Sequence, residues 1–155
     1  MQNRPRPIGK LSALALGGAA LLALGNTVPA HQDVVVTVVD LRSAEGSVLA
    51  CLTSSEGAFP DCGEDQRAQR RVVRANTRVT IVFNDVAPGE YAIALLHDEN
   101  GNGKADKTLF LPKEGFGFSR DAKANFGPPR FSSAAFRVES DAPVYQTIRM
   151  RYIGR

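Results

Sequence analysis

The sequence predicts an all-β domain: a two-sheet antiparallel sandwich of about seven strands, transthyretin-like or immunoglobulin-like, with one long ordered loop. Three observations predict it. Short runs of β-branched and apolar residues repeat with period two. Gly, Pro, Asn and Asp clusters punctuate those runs. No stretch after Ala30 carries a sustained apolar stripe of helical period with caps. A chain 43% hydrophobic and 23% charged also belongs with folded single domains, which excludes disorder and a polytopic membrane protein.

The front of the chain reads as an address label. Arg4, Arg6 and Lys10 form a positive segment, and Leu11 to Leu24 is an apolar run of 14 residues. That is short of the roughly 20 needed to cross a bilayer as a helix. Val28-Pro29-Ala30 places small residues where a signal peptidase cuts, so residues 1–30 are expected to be removed and 31–155 to form one domain. No Cys adjoins the cut and no Arg pair precedes the apolar run, which favours the general secretory route. Removing those three cations from 19 leaves 16 positive against 16 negative side chains. The basic pI therefore belongs to the label, and no general attraction to nucleic acid is indicated.

Within the domain, Val34, Val36 and Val38 alternate with Val35, Thr37 and Val39 as a first strand. Gly46 to Thr53 is a second. Arg71 to Arg74 is a short charged third that suits a sheet edge. Thr77 to Asn84 is the clearest strand, with Val79, Ile81 and Phe83 on one face. Asp85 to Tyr91 is a corner in which Pro88 fixes one turn position and Gly89 suits a positive φ at the next. Tyr91, Ile93 and Leu95 continue the inward pattern. Ala134 to Val138 and Val144 to Tyr152 supply the last two strands, the latter with Val144, Ile148, Met150 and Tyr152 on one face.

Export changes the meaning of Cys51 and Cys62. Ten residues rich in turn formers separate them, a loop that a disulfide can close in an oxidising compartment. Such closure is worth roughly 2–3 kcal/mol by loop entropy. Two free thiols are the alternative. Four-ligand zinc is not expected from two Cys and one interior His.

The segment from His97 to Pro129 is where a site would lie, because about thirty residues with little strand pattern are unusual inside a small domain. Asp98, Asn100, Asn102, Gly103 and Asp106 hold positions 1, 3, 5, 6 and 9 of a calcium loop, and the Lys104 carbonyl would serve at position 7. Hard Ca²⁺ wants about six to eight oxygens, and alternate side chains of a coiled backbone converge on one point. Position 12 is Leu109, not Glu, and a strand precedes the loop, so this is not an EF-hand. Glu99, Glu114 or Asp121 would have to complete the shell, and affinity should be weak. Asn-Gly-Asn-Gly is equally the signature of a metal-free turn ordered by side-chain hydrogen bonds.

Phe116, Phe118, Phe126 and Phe131 fall in sixteen residues. They are expected to pack as a satellite cluster under the loop, an apolar ligand groove being the alternative. Catalysis is not expected. His97 and Asp98 are neighbours on a strand and point to opposite faces, and no Gly-x-Ser-x-Gly elbow occurs. Arg67, Arg70, Arg71 and Arg74 read as a solvated edge, with an acidic partner as the alternative.

Four motifs together resemble the secreted bacterial family known as domain of unknown function 2141. They are Phe83-x-Asp85-x-x-Pro88-Gly89-x-Tyr91-Ala92, the run His97-Asp98-Glu99-Asn100-Gly101-Asn102-Gly103-Lys104-x-Asp106, Pro112-Lys113-Glu114-Gly115-Phe116-Gly117-Phe118-Ser119, and Gly127-Pro128-Pro129. The resemblance spans about 105 residues, from Val34 to Val138. It implies an exported β-sandwich of unknown activity and brings no catalytic or ligand residues with it. The two cysteines are not part of its pattern. The expected protein is thus a periplasmic or extracellular, non-enzymatic domain. Either it binds calcium weakly and uses the loop to contact a protein or cell-surface partner, or it is a metal-free structural or envelope-accessory domain whose loop is a rigid cap.

Overall fold

The computed structural model describes residues 30–103, 107–108, 111–112, 114–125 and 127–153. The expected signal peptide, apart from Ala30, lies outside them. Two sheets face each other. The first has three strands: β1 (Gln32–Val39) lies between β4 (Val79–Val86) and β10 (Val144–Arg149). The second runs β3 (Gln69–Arg74), β2 (Ser47–Thr53), β5 (Gly89–Asp98), β8 (Gly115–Phe118), with β9 (Phe136–Val138) on the early part of β5. A two-residue ladder joins β6 (Lys107–Thr108) to β7 (Leu111–Pro112).

The core is made by the alternation read from the sequence. Val34, Val36, Val38, Ile81, Phe83 and Ile148 come from one sheet, and Val48, Leu52, Ile93, Leu95 and Val138 from the other. Burying each such side chain fully is worth about 1.5–3 kcal/mol. The sandwich and all seven expected strands are present, with shifted ends.

Three details differ from the expectation. First, β1 and β10 run parallel, Val34 beside Val144 through Val39 beside Arg149. No hairpin joins them, so the chain is free to enter the sheet in either direction. Second, the long loop contains a strand, β8. Its period-two pattern is concealed because the inward positions are glycines. A Cβ on Gly115 would lie 2.3 Å from the Tyr152 ring, and one on Gly117 would lie 2.8 Å from Ile148 Cγ2. Hydrogen is the only side chain that lets β8 lie this close to the end of the chain, so only Phe116 and Phe118 carry the pattern. Third, the positive φ of the β4–β5 corner falls on Asp85, at 58°, and not on Gly89.

The Phe residues do form a satellite cluster. Phe118 packs with Ala92, Ala122 and Ala134, and Phe59, Phe116 and Phe131 join from the flanks. Phe59 meets Phe118 and Phe131 edge-on at 5.8 and 6.0 Å between ring centres. Phe126 lies outside the described residues. Cys51 and Cys62 are disulfide-bonded, which fixes the 54–65 loop beside this cluster. Two of the four arginines of the charged edge have intramolecular work. Arg70 donates to the carbonyls of Cys62, Gly63 and Asp65, and Arg71 donates to the Val82 carbonyl of β4 while resting on Phe83. Arg71 and Gln69, which reaches the Asn84 carbonyl, thereby bridge the two sheets and occupy acceptors that an open edge would expose.

Candidate functional site

Strand β5 ends at Asp98, and the chain then coils back on its carboxylate. Asp98 is 2% exposed. Its Oδ1 accepts the main-chain N–H groups of Gly101 (2.8 Å) and Asn102 (3.2 Å), and its Oδ2 accepts that of Gly103 (2.7 Å). Asn100 Oδ1 accepts from Asn102 N at 3.0 Å. Gly101 and Gly103 both adopt φ of 72°, the left-handed conformation that turns successive N–H groups toward one point. The result is a main-chain nest closed around a carboxylate.

Of the five expected metal donors, the structure brings Asp98, Asn100 and Asn102 onto this one turn. Lys104 and Asp106 lie outside the described residues. A carboxylate oxygen has two lone pairs. Oδ1 commits both to N–H groups and Oδ2 commits one, so Asp98 retains one for a further partner. Two of the three additional donors, Asp121 and Glu99, are held elsewhere. Asp121 takes the Arg149 N–H at 2.9 Å and pairs with the Arg149 and Arg151 guanidinium groups. Glu99 receives the Arg42 guanidinium on both oxygens and the Ser43 hydroxyl at 2.7 Å.

A polar brace stands on the other side of the strand end, where His97 reads from the sequence as a hydrogen-bonded strand-end residue but its partners, about fifty positions away, do not. His97 is fully buried between β2 and the end of the chain. Its Nε2 lies 2.9 Å from the Glu45 carbonyl and its Nδ1 lies 2.7 Å from the Tyr152 hydroxyl. A carbonyl only accepts, so Nε2 carries a proton and donates to it, while Nδ1 shares a hydrogen bond with the tyrosine hydroxyl. The same hydroxyl accepts the Arg42 N–H at 3.1 Å, and the Arg42 guanidinium lies 4.5 Å from the Tyr152 ring centre. Buried Glu114 adds its negative field to Arg42. Thus Arg42, Glu99, His97 and Tyr152 join the β1–β2 connection, the end of β5 and the last residues of the chain.

The brace should be sensitive to acid. Arg42, and secondarily Ser43, hold the Glu99 carboxyl below its usual range. A lowered folded-state pKa means that the pair stabilises the fold above the unfolded value near 4.5. That contribution fades as pH falls through the folded value. Unfolding midpoints in urea are therefore expected to fall between about pH 5 and pH 3. Glu99→Gln should be less stable at pH 7 and show a shallower acid limb. An identical limb in the variant would remove Glu99 from the account.

Ser119, the hydroxyl that a catalytic triad with His97 and Asp98 would need, is also committed. Ser119 is fully buried, accepts the Ile93 N–H at 2.9 Å and donates to the Ala134 carbonyl at 2.5 Å. His97 and Asp98 diverge to opposite faces of β5, as adjacent strand residues must. Among the described residues, no three His, Cys, Asp or Glu side chains gather in one place. Also among them, no helix is long and apolar enough to cross a membrane.

Neither a curated protein nor a solved structure matches the chain. A family model does match, over residues 36–146, which take in most of the sandwich, the Asp98 nest and strand β8. On that match the chain belongs to the family described as uncharacterized protein conserved in bacteria (DUF2141).

Proposed function

We propose that this is an exported, non-catalytic β-sandwich domain in which the turn after β5 is a rigid cap ordered by the protein itself. One observation carries the reading: both oxygens of the buried Asp98 carboxylate already accept main-chain N–H groups, three in all. The carboxylate thereby supplies the ordering that a metal would otherwise supply. The apolar run and cleavage pattern of residues 1–30 support export, and the Cys51–Cys62 disulfide fits an oxidising compartment. A role as a structural or envelope-accessory module follows from a site built for rigidity, with His97 and Ser119 both spent on internal bonds.

The calcium reading keeps one support of its own. Asn100 and Asn102 stand on the solvent side of the same turn as Asp98, which has one lone pair to give. It would make the turn, in metal-bound form, the contact surface for a protein or cell-surface partner. Thermal melts in about 10 mM calcium and in chelator separate the two readings. Calcium at 10–100 times Kd would add about 1.4–2.7 kcal/mol, or several degrees in a domain of this size. The cap reading expects coincident melts. A calcium-dependent rise that Asp98→Ala abolishes would overturn it in favour of the metal.

A further inference from the structure

We propose that the outer face of the five-stranded sheet binds a linear amphiphile, a medium-chain fatty acid, with its alkyl chain across the sheet and its carboxylate at Arg70. The outer face of a sandwich sheet is ordinarily polar. Here the outward positions of adjacent strands are Val72 on β3, Leu49 on β2, Leu96 on β5 and Phe116 on β8. They line a cavity of about 650 Å³, within the size range of small-molecule sites. The loop tied down by the disulfide forms one wall, through Pro60 and Asp61.

Two further observations point to an occupant. Three large apolar side chains are prominently exposed among the described residues, and two of them line this one groove: Val72 at 71% and Ile153 at 38%. Water-facing apolar surface of this kind, concentrated in a concave site, marks a place where apolar matter is received. The head group is set by charge. Arg70 shares the outward face of β3 with Val72, two residues away. It forms no ion pair among the described residues, and only its Nη2 is spent, on the Cys62, Gly63 and Asp65 carbonyls. The other guanidinium N–H groups remain to donate to a carboxylate. Asp61 on the same wall opposes a second negative charge, which fits a monoanion better than a phosphate dianion.

The test uses the purified protein and the fluorescent probe 11-(dansylamino)undecanoic acid. Saturable, blue-shifted binding is expected, with decanoate displacing the probe about tenfold more effectively than decanol. Val72→Glu places a negative charge in the groove at an exposed position that folding does not need, and it should weaken decanoate about tenfold or more. Tyr145→Glu, equally exposed at 74% but on the other sheet, should leave binding unchanged. Absence of saturable probe binding, or equal losses in both variants, would overturn the site. Equal displacement by decanoate and decanol would overturn the role of Arg70. None of these outcomes depends on whether the Asp98 turn takes calcium.

Discussion

Gly46→Ala is expected to lower the thermal midpoint by about 10 °C or more, the largest effect of any single methyl group added to this protein. Gly46 sits at the entry to β2, where the chain passes against the end of β5. A Cβ there would lie 1.9 Å from the Asp98 carbonyl oxygen and 2.7 Å from Glu99 Cα. Both atoms are main chain, so no side-chain rotation relieves the contact. The glycine also has a φ of 67°, which costs an L-residue roughly 1–2 kcal/mol before any clash is counted. Either β2 must part from β5 or the Asp98 turn must shift. The first would break the Ser47–Asp98 pairing, and the second would break the nest. Gly57→Ala is the control, since no atom lies within 4 Å of its Cβ and its φ is not positive. Melts of the two variants, followed by circular dichroism, check the claim. A Gly46→Ala midpoint within a degree or two of the Gly57→Ala value would show that the close approach is not there.

Asp98→Ala should cost about 2–4 kcal/mol. It strands the main-chain N–H groups of Gly101 and Gly103 and leaves that of Asn102 with Asn100 Oδ1 alone. Each hydrogen bond to a charged acceptor contributes on the order of 1.5–3 kcal/mol, and water can replace part of that because Gly101, Asn102 and Gly103 are exposed. Asp98→Asn is the more informative substitution. It keeps one acceptor oxygen and turns the other into an NH₂ group that faces an N–H donor. It should therefore recover at most part of the loss, which no account based on side-chain size would expect. Urea titrations read both, as a lower midpoint with an unchanged slope. An Asp98→Asn protein as stable as the parent would mean that the nest contributes nothing as an anion receptor.

How far the sequence reveals these features depends on what holds each of them. The valines of β1 and the Tyr91–Leu95 run announce their strands because one face is buried and period two is visible in side chains. Strand β8 does not announce itself, because Gly115 and Gly117 do inside the sandwich what an apolar residue does elsewhere. The parallel pairing of β1 with β10 has no local signal at all, since residues more than a hundred positions apart decide it. The spacing Asp98, Asn100, Asn102 is legible as oxygen donors, but main-chain N–H groups are present at every residue except proline and leave no mark in a sequence. The pattern therefore suggests a cation and carries no sign of the amides that the fold also brings to Asp98. The roles of Gly46 and of the His97–Tyr152–Arg42 brace arise from segments brought together only by the sheets. Leu49 and Leu96 as outward residues become meaningful once the β2–β5 register is known.

The central claim is that the turn following β5 is ordered by Asp98 and the main chain, with no metal required. Amide hydrogen exchange at Gly101, Asn102 and Gly103, measured in chelator and again in calcium, tests it most directly. All three amides should exchange well below random-coil rates in chelator, unchanged by calcium and released in Asp98→Ala. Random-coil exchange in chelator, slowed only when calcium is added, would contradict it.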